Sequence, residues 1–220
     1  MTFLDTITRY MAERYVRFGD GEIWVGKQRV AFTFLPLIAR ELLINSALNK
    51  ETYPAAVFLS GRRQGYEFIR QHAVPLVKSW TPIVALGMSW MNLFGAGTYR
   101  TIKADNKEGF VVLAGKSTLG LQVKAERPDA AEPVDFVIGG LVAGTLQYYT
   151  KTPTYGVEIS CIAQKDVQEC VFAVGNREKI MEYVQKFSPD KVDFAKTTLN
   201  RIEALEKRVV GSKNRSWLIR

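Results

Sequence analysis

The chain has 220 residues, of which 47% are hydrophobic and 24% are charged. This balance is that of a globular protein with a full core, and it excludes a long disordered polypeptide. The net charge of +8 at pH 7 would suit an acidic partner, but Lys and Arg cluster clearly only in the C-terminal stretch KRVVGSKNRSWLIR. We therefore expect a basic surface rather than a nucleic-acid-binding protein.

The N-terminus and the longest apolar stretch argue against export and membrane insertion. The opening MTFLDTITRY carries Asp5 and lacks an apolar run, which is not the pattern of a signal peptide. The longest apolar stretch, residues 83–97, falls short of the roughly 20 apolar residues that cross a bilayer. We expect a cytoplasmic protein. Contact with a membrane is compatible with the sequence, but no sequence feature supports it.

The first half of the chain is predicted to be mostly helical. Residues 3–18 place their apolar side chains near one stripe and predict an amphipathic helix, followed by a turn and a short extended piece in FGDGEIWVGKQ. Further helices are predicted in AFTFLPLIARELLINSAL, YPAAVFLSGRRQGYEFIRQHA and WTPIVALGMSWMNLF. Pro36 is tolerated only near the start of the first. Gly61 and Gly65 are expected to interrupt the second, and Gly95 to stop the third.

The second half changes to a strand pattern. YRTIKAD, GFVVLAG and TLGLQVKA are short, rich in β-branched residues and separated by DNKEG and GKS, which predicts an antiparallel meander. VDFVIGGLVAGTLQYY returns to a helical pattern, in which Gly139, Gly140 and Gly144 indicate close approach of another backbone or of a ligand. YGVEISCIA and ECVFAVG predict a second hairpin, and Ser188 caps a last helix that runs to about Arg208.

This order of helices, strands, helix, strands and helix predicts one α+β domain. We expect an antiparallel sheet of about four to five strands packed against several helices, with helical extensions at both ends. The predicted boundaries are 1–19 for an N-terminal amphipathic helix, 20–176 for the main domain, and 177–220 for a C-terminal helix and basic tail.

Few enzymatic constellations can be built from these residues. His72 is the single histidine, so a nucleophile–histidine pair has almost nothing to be built from. AGKST at residues 114–118 has the wrong glycine spacing for a phosphate-binding loop and is followed by a predicted strand, so we interpret it as a hairpin turn. GAG at residues 95–97 is a lone Gly-x-Gly and is interpreted as a helix stop.

Both cysteines lie in one hairpin, YGVEISCIAQKDVQECVF. A symmetric turn centred between Lys165 and Asp166 puts Cys161 opposite Cys170, with Cα atoms about 4.5 to 5.5 Å apart. That separation suits a disulfide, a shared metal ion, or two small buried side chains. Side chains alternate along a strand, so Glu158 faces away from Cys161 unless a bulge intervenes.

Glu158-x-x-Cys161, Cys170-x-Phe172 and the preceding glycine-rich FVIGGLVAG together resemble the signature of the 4-vinyl reductase domain family. Upstream, RVAFTFLPLIARELL, SGRRQG and GAGTYRTI lie in the expected order, so the resemblance covers residues 20–176. The family is similar in fold to subunits of the vesicle-tethering transport protein particle (TRAPP), which enclose an apolar channel for an acyl chain. It includes sensor domains for aromatic compounds and a protein implicated in chlorophyll pigment reduction.

The resemblance implies a structural zinc site. In the aromatic sensors the hairpin glutamate and two cysteines bind zinc together with a further cysteine, which implicates Glu158, Cys161 and Cys170, with Asp135 at the fourth position. The chain departs from that pattern because Asp135 replaces a cysteine and the segment between the cysteines lacks the usual glycine. Two thiolates and two carboxylates can bind zinc, in a site weaker than one with three or four cysteines.

The resemblance also implies an apolar pocket between sheet and helices, although aromatic and Met side chains at helical spacing are more often plain core. The candidate lining residues are Trp80, Met88, Trp90, Met91, Phe94, Gly140 and Gly144. The leading hypothesis is a non-enzymatic domain that holds a hydrophobic small molecule or acyl chain and signals through a partner or as a homodimer. The alternatives are a scaffold dimer like the vesicle-tethering subunits and an enzyme or accessory of tetrapyrrole vinyl reduction, against which the lack of a cofactor motif argues.

Overall fold

The structure is a computed structural model, and it describes residues 16–19, 22–25, 28–30, 35–72, 79–93, 95–128, 130 and 132–211. The elements in chain order are β1 (Val16–Gly19), β2 (Glu22–Val25), β3 (Gln28–Val30), α1 (Leu35–Leu48), α2 (Tyr53–His72), α3 (Trp80–Leu93), β4 (Gly97–Asp105), β5 (Phe110–Ser117), α4 (Thr118–Glu126), α5 (Phe136–Thr150), β6 (Tyr155–Ser160), β7 (Cys170–Gly175), α6 (Arg177–Phe187), a 3₁₀ turn (Pro189–Lys191) and α7 (Val192–Gly211).

The main sheet has four antiparallel strands in the order β4-β5-β7-β6, and β1, β2 and β3 form a smaller antiparallel meander. The predicted α+β class is therefore confirmed, as are the turn between β4 and β5 and the hairpin of β6 and β7. Among the described residues, no helix is long and apolar enough to cross a membrane.

The sheet is buried on both faces except along its edge strand β4, most of which is exposed. Along β5, Val111 and Leu113 face a core formed with α2, α3 and α5, whereas Phe110 and Val112 face a second core formed with α6 and α7. Successive side chains of a strand point to opposite faces, so a strand covered on both sides is apolar throughout. This explains the continuous apolar run of GFVVLAG.

Two predicted elements need correction near β5. The segment TLGLQVKA is helix α4 rather than a strand, because the Ser117 hydroxyl accepts a hydrogen bond from the Gly120 N–H at 2.9 Å and caps the helix. The predicted GKS turn is also wrong, since Gly115 and Lys116 continue β5 and pair with β4. AGKST is therefore not a loop. The pairing of Gly115 and Lys116 with β4 excludes a phosphate-binding loop here. The strand predicted after AGKST does not support that exclusion, because the segment is helix α4.

The N-terminal helix predicted over residues 3–18 lies mostly outside the described residues. Its last positions, 16–18, belong to β1, so the prediction is wrong there. Helix α1 begins at Leu35, which leaves Pro36 in its first turn as expected. Gly95 has a φ of +75° and follows the end of α3, which confirms the predicted stop.

Helices α2 and α5 pack with their backbones in close contact, and glycines make this contact. A Cβ atom on Gly61 would lie 2.8 Å from the Val137 carbonyl oxygen, and one on Gly65, Gly140 or Gly144 would also come within 3.0 Å of a carbonyl oxygen of the facing helix. The prediction that Gly61 and Gly65 interrupt a helix is therefore wrong, because α2 continues through both.

Candidate metal centre and neighbouring core

A β-bulge in strand β6 shapes the cysteine hairpin. Glu158 pairs with Phe172 and Ser160 pairs with Val171, so the register shifts by one residue between positions 158 and 160. The extra residue reverses the alternation of side chains beyond it. Glu158 and Cys161 consequently face the same side, which removes the obstacle that strict alternation presents.

Glu158, Cys161 and Cys170 form a buried cluster. One ligand atom of each lies within 4.8 Å of the others, and all three residues are buried. Both cysteines are free thiols, with their Sγ atoms 3.7 Å apart. Opposition of the two cysteines is thus confirmed, and they carry no disulfide in this structure.

The loop between the two cysteines directs backbone donors at sulfur. The Ile162 N–H donates to Cys170 Sγ at 3.3 Å. The Gln164 side chain accepts from the Cys161 N–H at 2.9 Å, while Cys161 O accepts from the Gln164 N–H at 2.9 Å. The ammonium of Lys124 on α4 lies 3.5 Å from the carbonyl oxygen of Gln164. These hydrogen bonds hold the loop around the two sulfur atoms.

Glu158 has one carboxylate oxygen engaged and one without a partner. Its Oε2 accepts from the Asp135 N–H at 2.7 Å, whereas the buried Oε1 has no hydrogen-bond partner in the described part of the chain. Burial, followed by the neighbouring Cys161 and Asp135, raises the pKa of Glu158 well above its ordinary value. The hydrogen bond shared with Cys170, followed by burial, raises the pKa of Cys161.

These features pass a chemical test for a divalent cation. Two thiols and a carboxylate are a donor set that zinc accepts, and a cation among them would favour their charged forms and engage the unpartnered Glu158 oxygen. Glu158, Cys161 and Cys170 are therefore the residues that would hold zinc. Bound there, the ion would join the end of β6 to the start of β7.

Asp135 lies next to this cluster, but its carboxylate is engaged elsewhere. It is the N-cap of α5, with Oδ1 accepting from the Ile138 N–H at 3.4 Å. Its Oδ2 accepts from the Ser117 hydroxyl at 2.6 Å and from the Tyr99 hydroxyl at 3.3 Å. Burial and the Asp135 charge raise the pKa of Tyr99, which keeps it a neutral donor.

The sequence contained no signal that Tyr99 and Ser117 would contact Asp135. Both lie in or at the end of strands whose local pattern is ordinary, and Ser117 is 18 residues from Asp135 in the chain. A capping signal was available for Ser117 alone, through its position before a short helix, and it was hidden by the strand interpretation of TLGLQVKA.

The predicted pocket residues occupy different environments. Trp80 is 3% exposed and Met88 is 4% exposed, both within the larger core, and Met91 packs partly buried against it. The indole N–H of Trp80 is buried and has no hydrogen-bond partner among the described residues. The side chain of Trp90 and all of Phe94 lie outside the described residues.

Gly140 and Gly144 face helix α2 rather than open space. A Cβ atom on either would come within 3.0 Å of a carbonyl oxygen of α2. Of the two alternatives in the sequence, approach by a backbone or by a ligand, the structure shows the backbone. The contact of these two glycines is thus with α2, and their place in a pocket lining stays a prediction.

Comparisons with known proteins show a similarity in fold and no match in sequence. No protein-family model matches the chain, and no curated protein sequence matches it. Among solved structures, the chain is similar to one described as the phenol-responsive sensory domain of the transcription activator PoxR with phenol. The TM-score is 0.68 at 15% sequence identity, covering 81% of this chain and 92% of the other. The chain thus shares the fold of that domain.

Proposed function

We propose that this chain is a non-enzymatic domain that binds a small hydrophobic molecule within its larger core and signals its occupancy through a partner or a second copy. We further propose that zinc bound by Glu158, Cys161 and Cys170 joins the two strands of the cysteine hairpin. The fold shared with the PoxR sensory domain supports the first part, and the buried donor cluster supports the second.

The unpartnered indole N–H of Trp80 carries the ligand proposal. A buried donor without an acceptor costs about 1 to 3 kcal/mol, and Trp80 belongs to the larger apolar core. A ligand with an apolar body and one acceptor oxygen would satisfy this donor. Phenol has that chemistry, whereas benzene offers the same ring without the oxygen.

Calorimetric titration with phenol and with benzene tests this proposal. We expect phenol to bind more tightly than benzene, and Trp80→Phe to remove that preference while keeping an aromatic ring in place. Met88→Leu is the matched control, because it conserves core volume and changes no hydrogen-bonding group. Equal phenol affinity in the wild-type protein and the Trp80→Phe variant would show that the indole N–H is not the binding group. An absence of binding for phenol, benzene and fatty acids alike would refute the sensory function.

A scaffold dimer is the second candidate, and exposed apolar residues favour it. Ile44 is 59% exposed and Leu48 is 74% exposed on one side of α1, and Leu121 is 45% exposed on α4, which packs against α1. Light scattering over a range of concentrations tests this candidate. A dimer that Leu48→Glu converts to monomers, in a protein that binds no ligand, would favour it over the sensory function.

A further inference from the structure

The metal cluster contains three ligand residues, and the carboxylate expected to be the fourth is held elsewhere. Among the described residues, the group around Glu158 includes both cysteines but not Asp135. Zinc in proteins is almost always four-coordinate, and sites with three protein ligands leave one position for a donor from outside.

Asp135 is held by contacts that come from three separate elements. Ser117 at the end of β5 and Tyr99 on β4 both donate to its Oδ2, and the first turn of α5 donates to its Oδ1. Turning the carboxylate toward the sulfurs would leave the buried Ser117 hydroxyl without its acceptor, at about 1 to 3 kcal/mol. The Tyr99 hydroxyl would keep only the Ala96 carbonyl oxygen, at 3.3 Å. This rotation would also remove the N-cap of α5.

The main-chain group of Asp135 has a separate role. Its N–H donates to Glu158 Oε2 at 2.7 Å and so orients the carboxylate. The other oxygen of that carboxylate, Oε1, has no hydrogen-bond partner among the residues that the structure describes. The contact of the N–H does not depend on the side chain at position 135. Asp135 is thus a positioning residue for Glu158.

We propose that the metal centre of this chain has three protein ligands, Glu158, Cys161 and Cys170, and that its fourth position accepts a small neutral donor from outside the chain. The inference rests on the zinc site proposed above. Two thiolates and one carboxylate carry three negative charges, so a divalent ion leaves one negative charge in a buried site. A further anion would add a second uncompensated charge, which is costly away from water, and a neutral nitrogen donor adds none.

Cobalt substitution tests the proposal, because the visible bands of Co²⁺ report on its ligands. We expect the full-length protein to bind one Co²⁺ and imidazole to change the visible bands saturably, with azide at least tenfold weaker. Asp135→Asn should bind Co²⁺ with an affinity within about threefold of wild type and show the same spectrum. Asn is also a good N-cap residue, and Asp135→Ser offers a second capping variant if Asn prevents folding.

Distinct results would overturn each part. A spectrum that neither imidazole nor azide changes would overturn the open position. Tighter binding of azide than of imidazole would overturn the preference for a neutral donor. Loss of Co²⁺ affinity by a hundredfold or more in folded Asp135→Asn or Asp135→Ser would identify Asp135 as a ligand instead. Absence of Co²⁺ and Zn²⁺ binding in the wild-type protein, or binding unaffected by Glu158→Gln, would refute the zinc site proposed in the preceding section.

Discussion

Arg62 is a buried arginine on α2 that contacts two other parts of the chain. Its Nη1 donates to the Thr154 carbonyl oxygen at 3.2 Å, and its Nη2 pairs with Glu206 on α7. The guanidinium also lies 5.9 Å from the ring centroids of Phe58 and Tyr155. One side chain therefore connects α2, the start of β6 and the C-terminal helix.

Replacing Arg62 by Met should destabilise the protein by about 2 to 3 kcal/mol. The change leaves the Thr154 carbonyl and the half-buried Glu206 without their partner, and a broken buried pair costs more than an exposed one. Urea unfolding followed by circular dichroism measures the difference. The control is Arg201→Met, whose ion pair with Glu51 at 2.9 Å is more exposed and should contribute less than about 1 kcal/mol. Equal losses in both variants would contradict the role given to Arg62.

Only part of the candidate site could be predicted from residue patterns. The symmetric turn correctly predicted that Cys161 and Cys170 oppose each other, because hairpin register follows from the chain itself. Strand alternation alone would have separated Glu158 from Cys161. The bulge that brings them together depends on pairing with β7, and no residue type in YGVEIS marks it.

Among the elements, the contact between α2 and α5 depends on glycine on both sides. Gly65→Ala and Gly144→Ala should each cost about 2 kcal/mol or more, because the new methyl group would overlap a backbone carbonyl oxygen that cannot move independently. Gly87→Ala on α3 is the matched control, since a Cβ atom there meets nothing within 4 Å. It should stabilise the helix by roughly 0.5 to 1 kcal/mol. Chemical unfolding of the three variants measures this, and a loss at Gly87 similar to that at Gly144 would contradict the packing explanation.

The N-cap of α4, Ser117, is a second contact between elements. Ser117→Ala should cost about 2 kcal/mol, because Ser117 both caps α4 and donates to the buried Asp135. Asn176→Ala removes a cap of equal geometry, with Asn176 accepting from the Lys179 N–H at 2.9 Å on α6, and should cost about 1 kcal/mol. Thermal unfolding of both variants compares the losses. A smaller loss for Ser117→Ala than for Asn176→Ala would argue against its second role.

Element types were predictable where the pattern was long. The fifteen-residue α5 and the twenty-residue α2 followed from helical periodicity. The nine-residue α4 was misread because TLGLQVKA also alternates. A segment of that length fits the 3.6-residue period of a helix as well as the two-residue period of a strand. The N-cap at Ser117 favours the helix.

For the whole molecule, metal removal should lower stability without abolishing the fold. A ligand present at 100 times its dissociation constant adds about 2.7 kcal/mol, which corresponds to roughly 5 to 10 °C in the midpoint for a protein of this size. Calorimetry before and after treatment with a strong zinc chelator measures the shift, and Glu158→Gln provides a variant that should show little of it. An identical midpoint before and after chelation, in protein shown by mass spectrometry to have carried zinc, would contradict the stabilising role.

Sequence patterns alone predict the α+β class, the apolar centre of the sheet, and the opposition of the two cysteines. These features depend on periodicity and turn symmetry, which are written along neighbouring residues. Three further features are visible only in the folded chain. They are the contacts of the α5 glycines, the bulge that turns Glu158 toward sulfur, and the hydrogen bonds of Asp135 with Ser117 and Tyr99. Each of these depends on partners brought together from separate strands and helices, so no local pattern could have specified it.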